Sequence, residues 1–166
     1  MRIGIISDTH DRRGMVDAAV ERFNQEGVEC VLHAGDFVSP FVVSWLSRLE
    51  SPLVGVFGNN DGDRTLLQER FAEYDHLDLR GDFARLELSG ARIALLHGHQ
   101  RDLLAALIET GWFDYVVHGH SHRAGCSGQG RTRVVNPGEA CGYLTGRSTV
   151  GILETEGGAW EVVALE

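Results

Sequence analysis

An α/β fold is predicted from two features of the chain. Short apolar runs alternate with amphipathic helical patterns through the first half, and short, partly alternating strands take over in the second. Alternation of the first kind implies parallel strands joined by right-handed crossovers. The opening run "RIGIIS" (Arg2 to Ser7) reads as a buried strand. "MVDAAVERFNQE" follows it, with Met15, Val16, Ala19, Val20 and Phe23 at helical spacing. Asp11 stands just before this helix, placed to accept its first free N–H groups, and Gly27 closes it. The cycle repeats as strand "VECVLHAG", helix "PFVVSWLSRLE", strand "PLVGVFG" and helix "RTLLQERFAEY". Pro40 suits a first helical turn, where its missing N–H costs nothing.

The second half changes character. "DFARLELSG" and "ARIALLHG" read as two strands around the turn "SGAR", with Gly90 able to take the positive φ of a tight hairpin. The helix "RDLLAALIETG" precedes the strand "DYVVHG", and "TRVVNPG", "RSTVGILET" and "AWEVVALE" are further short strands. "AGCSGQGR" (Ala124 to Arg131) is glycine-rich and reads as a hairpin tip or mobile loop. The chain is thus parallel early and mixed or antiparallel late, as in two stacked sheets flanked by helices.

The 166 residues are enough for one domain with a sizeable core, and 43% of them are apolar, an ordinary share for a globular protein. A formal charge of −9 argues against a basic face that tracks a nucleic-acid backbone. It leaves a phosphorylated substrate open, because bound metal ions reverse the local field. Cys30, Cys126 and Cys141 are odd in number and lack CxxC spacing, so neither a disulfide framework nor a zinc–thiolate cluster is suggested. No apolar run has transmembrane length. "MRIGIISDTH" has no secretory h-region or cleavage site, so the cytoplasm is the expected location.

The chemistry lies just after the strands. "SDTH" supplies Asp8 and His10, "HAGD" supplies Asp36, and "GNND" supplies Asn59, Asn60 and Asp61. "RIALLH" ends in His97, and "DYVVHGHSH" delivers His118, His120 and His122. Each piece alone has an ordinary explanation: a turn or cap for Asp8 and Asp36, a core histidine for His97, a solvated loop for "HGHSH". Together they put oxygen and nitrogen donors at the C-terminal edge of successive strands, where open α/β sheets bind ligands. Imidazole and carboxylate without thiolate suit manganese, iron, cobalt, nickel or zinc rather than a calcium or magnesium cage. The donors outnumber what one such ion takes from protein, so two ions sharing a carboxylate fit better, at a spacing of roughly 3.5–4 Å.

These blocks resemble the signature of the calcineurin-like metallophosphoesterases: "DTH", "GD", "GNND", "HG" and "GHSH", all in order. With the later "NPG" (Asn136 to Gly138), the chain looks like the small YfcE/MJ-type phosphodiesterase subfamily. The resemblance spans essentially the whole chain and implies a four-layer αββα sandwich, two mixed β-sheets flanked by helices. It implies one metal on Asp8, His10, Asp36 and His122, and a second on Asn59, His97 and His120 with Asp36 bridging. It further implies a dinuclear phosphodiesterase in which a hydroxide bridging two divalent transition-metal ions, manganese first among them, attacks a small phosphorylated substrate in line. His118 is then structural, and His33 and His99 are candidates to orient ligands.

Two positions depart from the family pattern. Asn60 stands where many members carry a histidine that protonates the leaving group, which disfavours poor leaving groups. Glu139 follows "NPG" where the subfamily often has serine; facing the site it would repel an anionic substrate, and facing solvent it would do nothing. The rival readings are a non-catalytic interaction module of the same fold, a phosphomonoesterase and a nuclease. The complete ligand set favours an enzyme over the module, and the acidic charge and short chain disfavour the nuclease. Asn60 tilts the choice towards diesters with good leaving groups. A homo-oligomer is compatible with the sequence.

Overall fold

A computed structural model describes residues 1–166, apart from the side chain of Gln129. In chain order the elements are β1 (Arg2–Ile6), α1 (Arg13–Gln25), β2 (Cys30–His33), α2 (Val42–Leu46), β3 (Leu53–Gly55), α3 (Arg64–Phe71) and β4 (Leu77–Leu79). They continue with β5 (Phe83–Leu88), β6 (Ala91–Leu96), α4 (Arg101–Glu109), β7 (Tyr115–Val117), β8 (Gly125–Gln129), β9 (Thr132–Asn136), β10 (Thr149–Glu154) and β11 (Trp160–Ala164). The first sheet runs β11-β10-β1-β2-β3-β4 and the second β5-β6-β7-β9-β8. β1 to β4 pair in parallel, whereas β10 lies antiparallel to β1 and β11 to β10. In the second sheet β6, β7 and β9 are parallel, with β5 and β8 antiparallel at its edges.

Strand alternation explains the layers. In β1, Ile3 and Ile5 point into a core shared with the second sheet, while Ile6 points the other way, among α1 and α2 residues. β2 repeats the pattern, Leu32 inward and Val31 outward. β6 and β7 do the same from the opposite side: Ile93, Leu95, Tyr115 and Val117 face the shared core, and Ala94, Leu96 and Val116 face Leu104, Leu107 and Ile108 of α4. Both faces of each central strand are therefore covered, as parallel strands require. The result is the four-layer αββα sandwich: α1, α2 and α3 on the first sheet, α4 on the second.

Several local expectations change. Of the two readings of the glycine-rich segment from Ala124, the hairpin holds and the mobile loop does not: most of it, Gly125–Gln129, is an edge strand that borrows its order from β9, and Gly130 and Arg131 make the tip. β4 was not apparent in the sequence, being three residues that complete the parallel edge. α2 begins at Val42, beyond Pro40. Asp11 does not cap α1, which has Arg12 at its N-cap and no side-chain cap. Its Oδ1 accepts instead from Ser39 N (3.2 Å) and Ser39 Oγ (2.7 Å), joining the loops after β1 and β2. Among the described residues no helix is long and apolar enough to cross a membrane.

Phe23 is the key of the α1–sheet contact: it is 1% exposed, and a Cβ on Gly4 would stand 2.7 Å from its ring. Phe23→Ala should lose about 3–5 kcal/mol of stability, seen as a lower denaturant midpoint at unchanged slope. A loss below about 1 kcal/mol would mean that the ring does not anchor the layer.

Candidate metal centre

Five loops converge where the C-terminal ends of the two sheets meet. The loops after β1 and β2 are zipped by backbone bonds from Asp8 N to Gly35 O, Thr9 N and His10 N to Asp36 O, and Asp11 N to Phe37 O. Across the seam, Ala140 N donates to Ser7 O and Cys141 N to Asp8 O; within the second sheet, Gly119 N donates to His97 O. The site backbone is unusual. Asp8, His10, Asp36, His120 and His122 all have φ between 41° and 62°. L-residues enter this left-handed region at a cost, and aspartate and histidine tolerate it better than most.

The side chains so presented share one space. Asp36 Oδ2 lies 3.5 Å from His10 Nε2 and 3.3 Å from His97 Nε2. Asp8 Oδ1 lies 3.3 Å from His122 Nε2 and 3.9 Å from His10 Nε2. The His120 ring centroid is 5.1 Å from that of His97, and its backbone N donates to Asp8 Oδ2 at 3.1 Å. Asp8, Asp36 and His97 are at most 1% exposed.

Three atoms in this space, Asp8 Oδ1, His10 Nε2 and His97 Nε2, are buried and hydrogen-bonded to nothing among the described residues. The far nitrogens explain which way the lone pairs point. His97 Nδ1 donates to Ala34 O at 2.7 Å, leaving Nε2 with its lone pair towards Asp36. His122 Nδ1 lies 2.6 Å from Glu139 Oε2, a carboxylate that only accepts, so its Nε2 lone pair points towards Asp8. Oxygen and nitrogen lone pairs facing one another out of water need a cation between them. The donor set therefore fits divalent metal ions. Two overlapping groups offer ligand atoms within 4.8 Å of one another: Asp8, His10 and His122, and Asp8, Asp36 and His97.

The ionisation tendencies agree. Burial raises Asp8 above the usual carboxylate range. For Asp36 burial acts the same way but is outweighed by the adjacent His97 ring in its protonated form and by hydrogen bonds from Asn60, which hold it well below that range. Burial works against a charged His97, yet the Asp36 carboxylate prevails and its pKa is raised. Without metal, a proton is the cation this geometry draws in.

Two glycines permit the approach of these carboxylates. A Cβ on Gly58 would collide with the Asp36 carboxylate, and one on Gly119 would collide with Ser7 Oγ and crowd Asp8 Oδ2.

The remaining candidates are placed as follows. Asn60 donates to Asp36 from its backbone N (2.8 Å) and its Nδ2 (2.7 Å), gripping both carboxylate oxygens. Asn59 is exposed, with no side-chain hydrogen bond among the described residues. His118 is turned aside, its Nδ1 3.0 Å from Gly119 O. His99 lies beside the second group, 5.6 Å from the His97 ring and 6.2 Å from that of His120. His33 is fully buried behind the site, stacked on Phe37 at 3.7 Å, and its Nδ1 accepts Gly35 N.

Glu139 takes neither of the orientations foreseen: it faces neither substrate space nor solvent, but the back of His122. Burial would raise its pKa, but bonds from Thr145, His122 and Leu144 bring it down to about 2. Asp61, named in the sequence without a role, has one here: its carboxylate accepts Gly58 N (2.6 Å) and Val38 N (2.8 Å) and so fastens two site loops together. Its position, the last residue of "GNND", was the available signal.

Burial lowers the His33 pKa from 6.5 to about 3. The unfolded chain thus takes up the proton first, so the stability tied to neutral His33 is full above about pH 6.5. It is lost as pH falls towards the folded value, by up to about 1.4 kcal/mol per pH unit. His33→Gln should flatten the dependence of unfolding free energy on pH between about 6 and 4. An unchanged slope would count against a buried neutral ring.

Residues 1–158 match the calcineurin-like phosphoesterase superfamily domain. The chain is 40% identical over 166 residues to phosphodiesterase MJ0936 of Methanocaldococcus jannaschii, covering 100% of both. It superposes on a solved archaeal phosphodiesterase with a TM-score of 0.95 and 40% identity, over 99% of this chain and 100% of that one. YfcE, a phosphoesterase from E. coli, shares the fold at a TM-score of 0.72 and 20% identity, over 100% of both chains. With a match over nearly its whole length, the chain belongs to the calcineurin-like phosphoesterase superfamily.

Proposed function

We propose that this metal-dependent phosphoesterase hydrolyses a small phosphodiester with two divalent transition-metal ions, manganese being favoured over nickel, iron, cobalt or zinc. The observation that carries the reading is the set of buried, unpartnered donor atoms on Asp8, His10 and His97. Asp8, His10, Asp36 and His122 would hold one ion. Asn59, His97 and His120 would hold the other, with Asp36 shared because its Oδ2 stands between His10 and His97. Such ions, when bound, lower the pKa of water and neutralise charge on phosphoryl oxygens.

The chain's own residues do the rest. Asn60 fixes the angle of Asp36 by holding both its oxygens. A carboxamide so engaged transfers no proton, so the leaving group departs without acid from this residue. That favours diesters whose alcohols are acidic, and it disfavours alkyl esters by the roughly 10²–10⁴ a general acid supplies. His97 and His122 keep one tautomer each through Ala34 O and Glu139, which presents Nε2 without reorganisation.

The test is hydrolysis of an aryl phosphodiester beside its monoester by chelator-stripped protein refilled with Mn²⁺, Ni²⁺ or Zn²⁺. Metal should restore diester cleavage. Asp36→Asn should cut that rate by at least about 100-fold and weaken both metal equivalents together. Two bound metals with neither ester cleaved would favour a scaffold of the same fold. Undiminished binding of two metals by Asp36→Asn would remove the bridge from the assignment.

We also propose that residues 1–166 form one cooperative domain, because the middle core takes side chains from both sheets; a cytoplasmic location remains the reading of the sequence. Denaturation followed by tryptophan fluorescence and by circular dichroism should give one coincident transition. Two separated transitions would divide the domain.

A further inference from the structure

We infer that Glu139 is a positioning residue that locks His122 in its ligating tautomer and fastens the following loop to the same point. The inference rests on the metal-dependent reading above and concerns how one of its ligands is held.

Glu139 is fully buried, and its carboxylate is saturated by donors. Oε2 accepts from His122 Nδ1 at 2.6 Å and from Cys141 Sγ at 3.2 Å. Oε1 accepts from Leu144 N at 3.0 Å, Thr145 N at 2.5 Å and Thr145 Oγ1 at 2.6 Å. A carboxylate has about four lone-pair sites, so little acceptor capacity is left over. Because it cannot donate to Nδ1, the imidazole proton stays on Nδ1 and the Nε2 lone pair stays directed at Asp8, 3.3 Å away. Carboxylate contacts of this kind raise the basicity of a ligating imidazole and fix its plane.

Glu139, Cys141 and His122 also have ligand atoms within 4.8 Å of one another, which raises the question of a metal site of their own. The hydrogen bonds answer it. The His122 nitrogen nearest Glu139 carries the proton, and the Glu139 oxygens are taken by amides and a hydroxyl. Cys141 donates its thiol to the carboxylate and accepts no ion.

The other half of the inference concerns the loop. Leu144 and Tyr143 are 76% and 61% exposed and have little to hold them by burial. The amides of Leu144 and Thr145, both on Glu139, tie this segment down together with Arg12, whose guanidinium lies 5.6 Å from the Tyr143 ring centroid and donates to Cys141 O. The carboxylate thus joins loop order to the His122 ring, and by linkage whatever steadies one steadies the other.

The experiment is a Zn²⁺ titration of the stripped full-length protein by calorimetry, alongside NMR of the ring N–H protons and amide exchange. Wild type should bind two equivalents and show a slowly exchanging His122 ring proton. Glu139→Gln should keep one equivalent and bind the other 10–100-fold more weakly. It should also lose the ring-proton signal and exchange faster at Leu144 and Thr145. Cys141→Ala should leave zinc affinity unchanged; loss of an equivalent there would make Cys141 a direct ligand and overturn the assignment. Should Glu139→Gln fail to fold, Thr145→Val removes one donor at an exposed position and should weaken the same equivalent about threefold. Equal zinc affinity and an intact ring proton in the variant that folds would overturn the inference. Failure of wild type to bind zinc would instead strike the metal-dependent reading itself.

Discussion

Two carboxylates of like charge, Asp8 and Asp36, are held almost wholly out of water beside imidazole lone pairs. Left alone, that is among the costliest arrangements a protein interior can contain. Much of the surrounding structure supplies partial positive charge to it. The Asn60 backbone and amide serve Asp36, and the His120 N–H serves Asp8. What these donors leave unmet is a space ringed by acceptors, and the site's affinity for a divalent cation follows from it.

The constraint reaches the backbone as well. Bringing side chains from both sheets to one point requires sharp reversals directly after the strands, and five of the candidate ligands take left-handed conformations there. Val38, a β-branched residue at φ 85°, adds a further strained position. Bonds from neighbouring loops keep these conformations in place: Asp61 grips Val38 and Gly58, and Asp11 grips Ser39. The strain lies in loops and the burial in strands, so the rigid layers of Ile3, Ile5, Leu32, Ile93 and Leu95 support a site whose own local geometry is unfavourable.

The sequence announced the donor blocks because a strand ends where its apolar run ends, and in parallel sheets those ends are collected at one edge. The four-layer order came with the family resemblance and not from these strands alone: Ile3, Ile5 and Ile6, like Ile93 to Leu96, are apolar on both faces, so their sequence does not tell the sheet-facing side from the helix-facing one. What escaped depended on partners remote in the chain. β8 is glycine-rich and has no strand propensity of its own; its register comes from β9. Asp11 has the right residue type for a cap, but at φ 53° it cannot adopt the extended cap geometry, and Ser39 competes for it. That Asn60 is the asparagine that grips Asp36 is a matter of loop geometry, which spacing does not encode. Glu139 looked like a departure from pattern because nothing in a linear sequence tells that amides five and six residues on turn back to it.

The seam itself has a mechanical meaning. Asp8 hangs from the first sheet and His120 from the second, and the bond between them spans 112 residues of chain. An ion gripped by both would act as a removable rivet through the middle of the sandwich, resisting the sliding of one sheet over the other. The resistance of the folded chain to heat is then partly a property of the surrounding solution: it rises with the free metal concentration relative to the dissociation constant and drains away in chelator. Such a protein has no single melting temperature, only one for each metal activity in which it is measured.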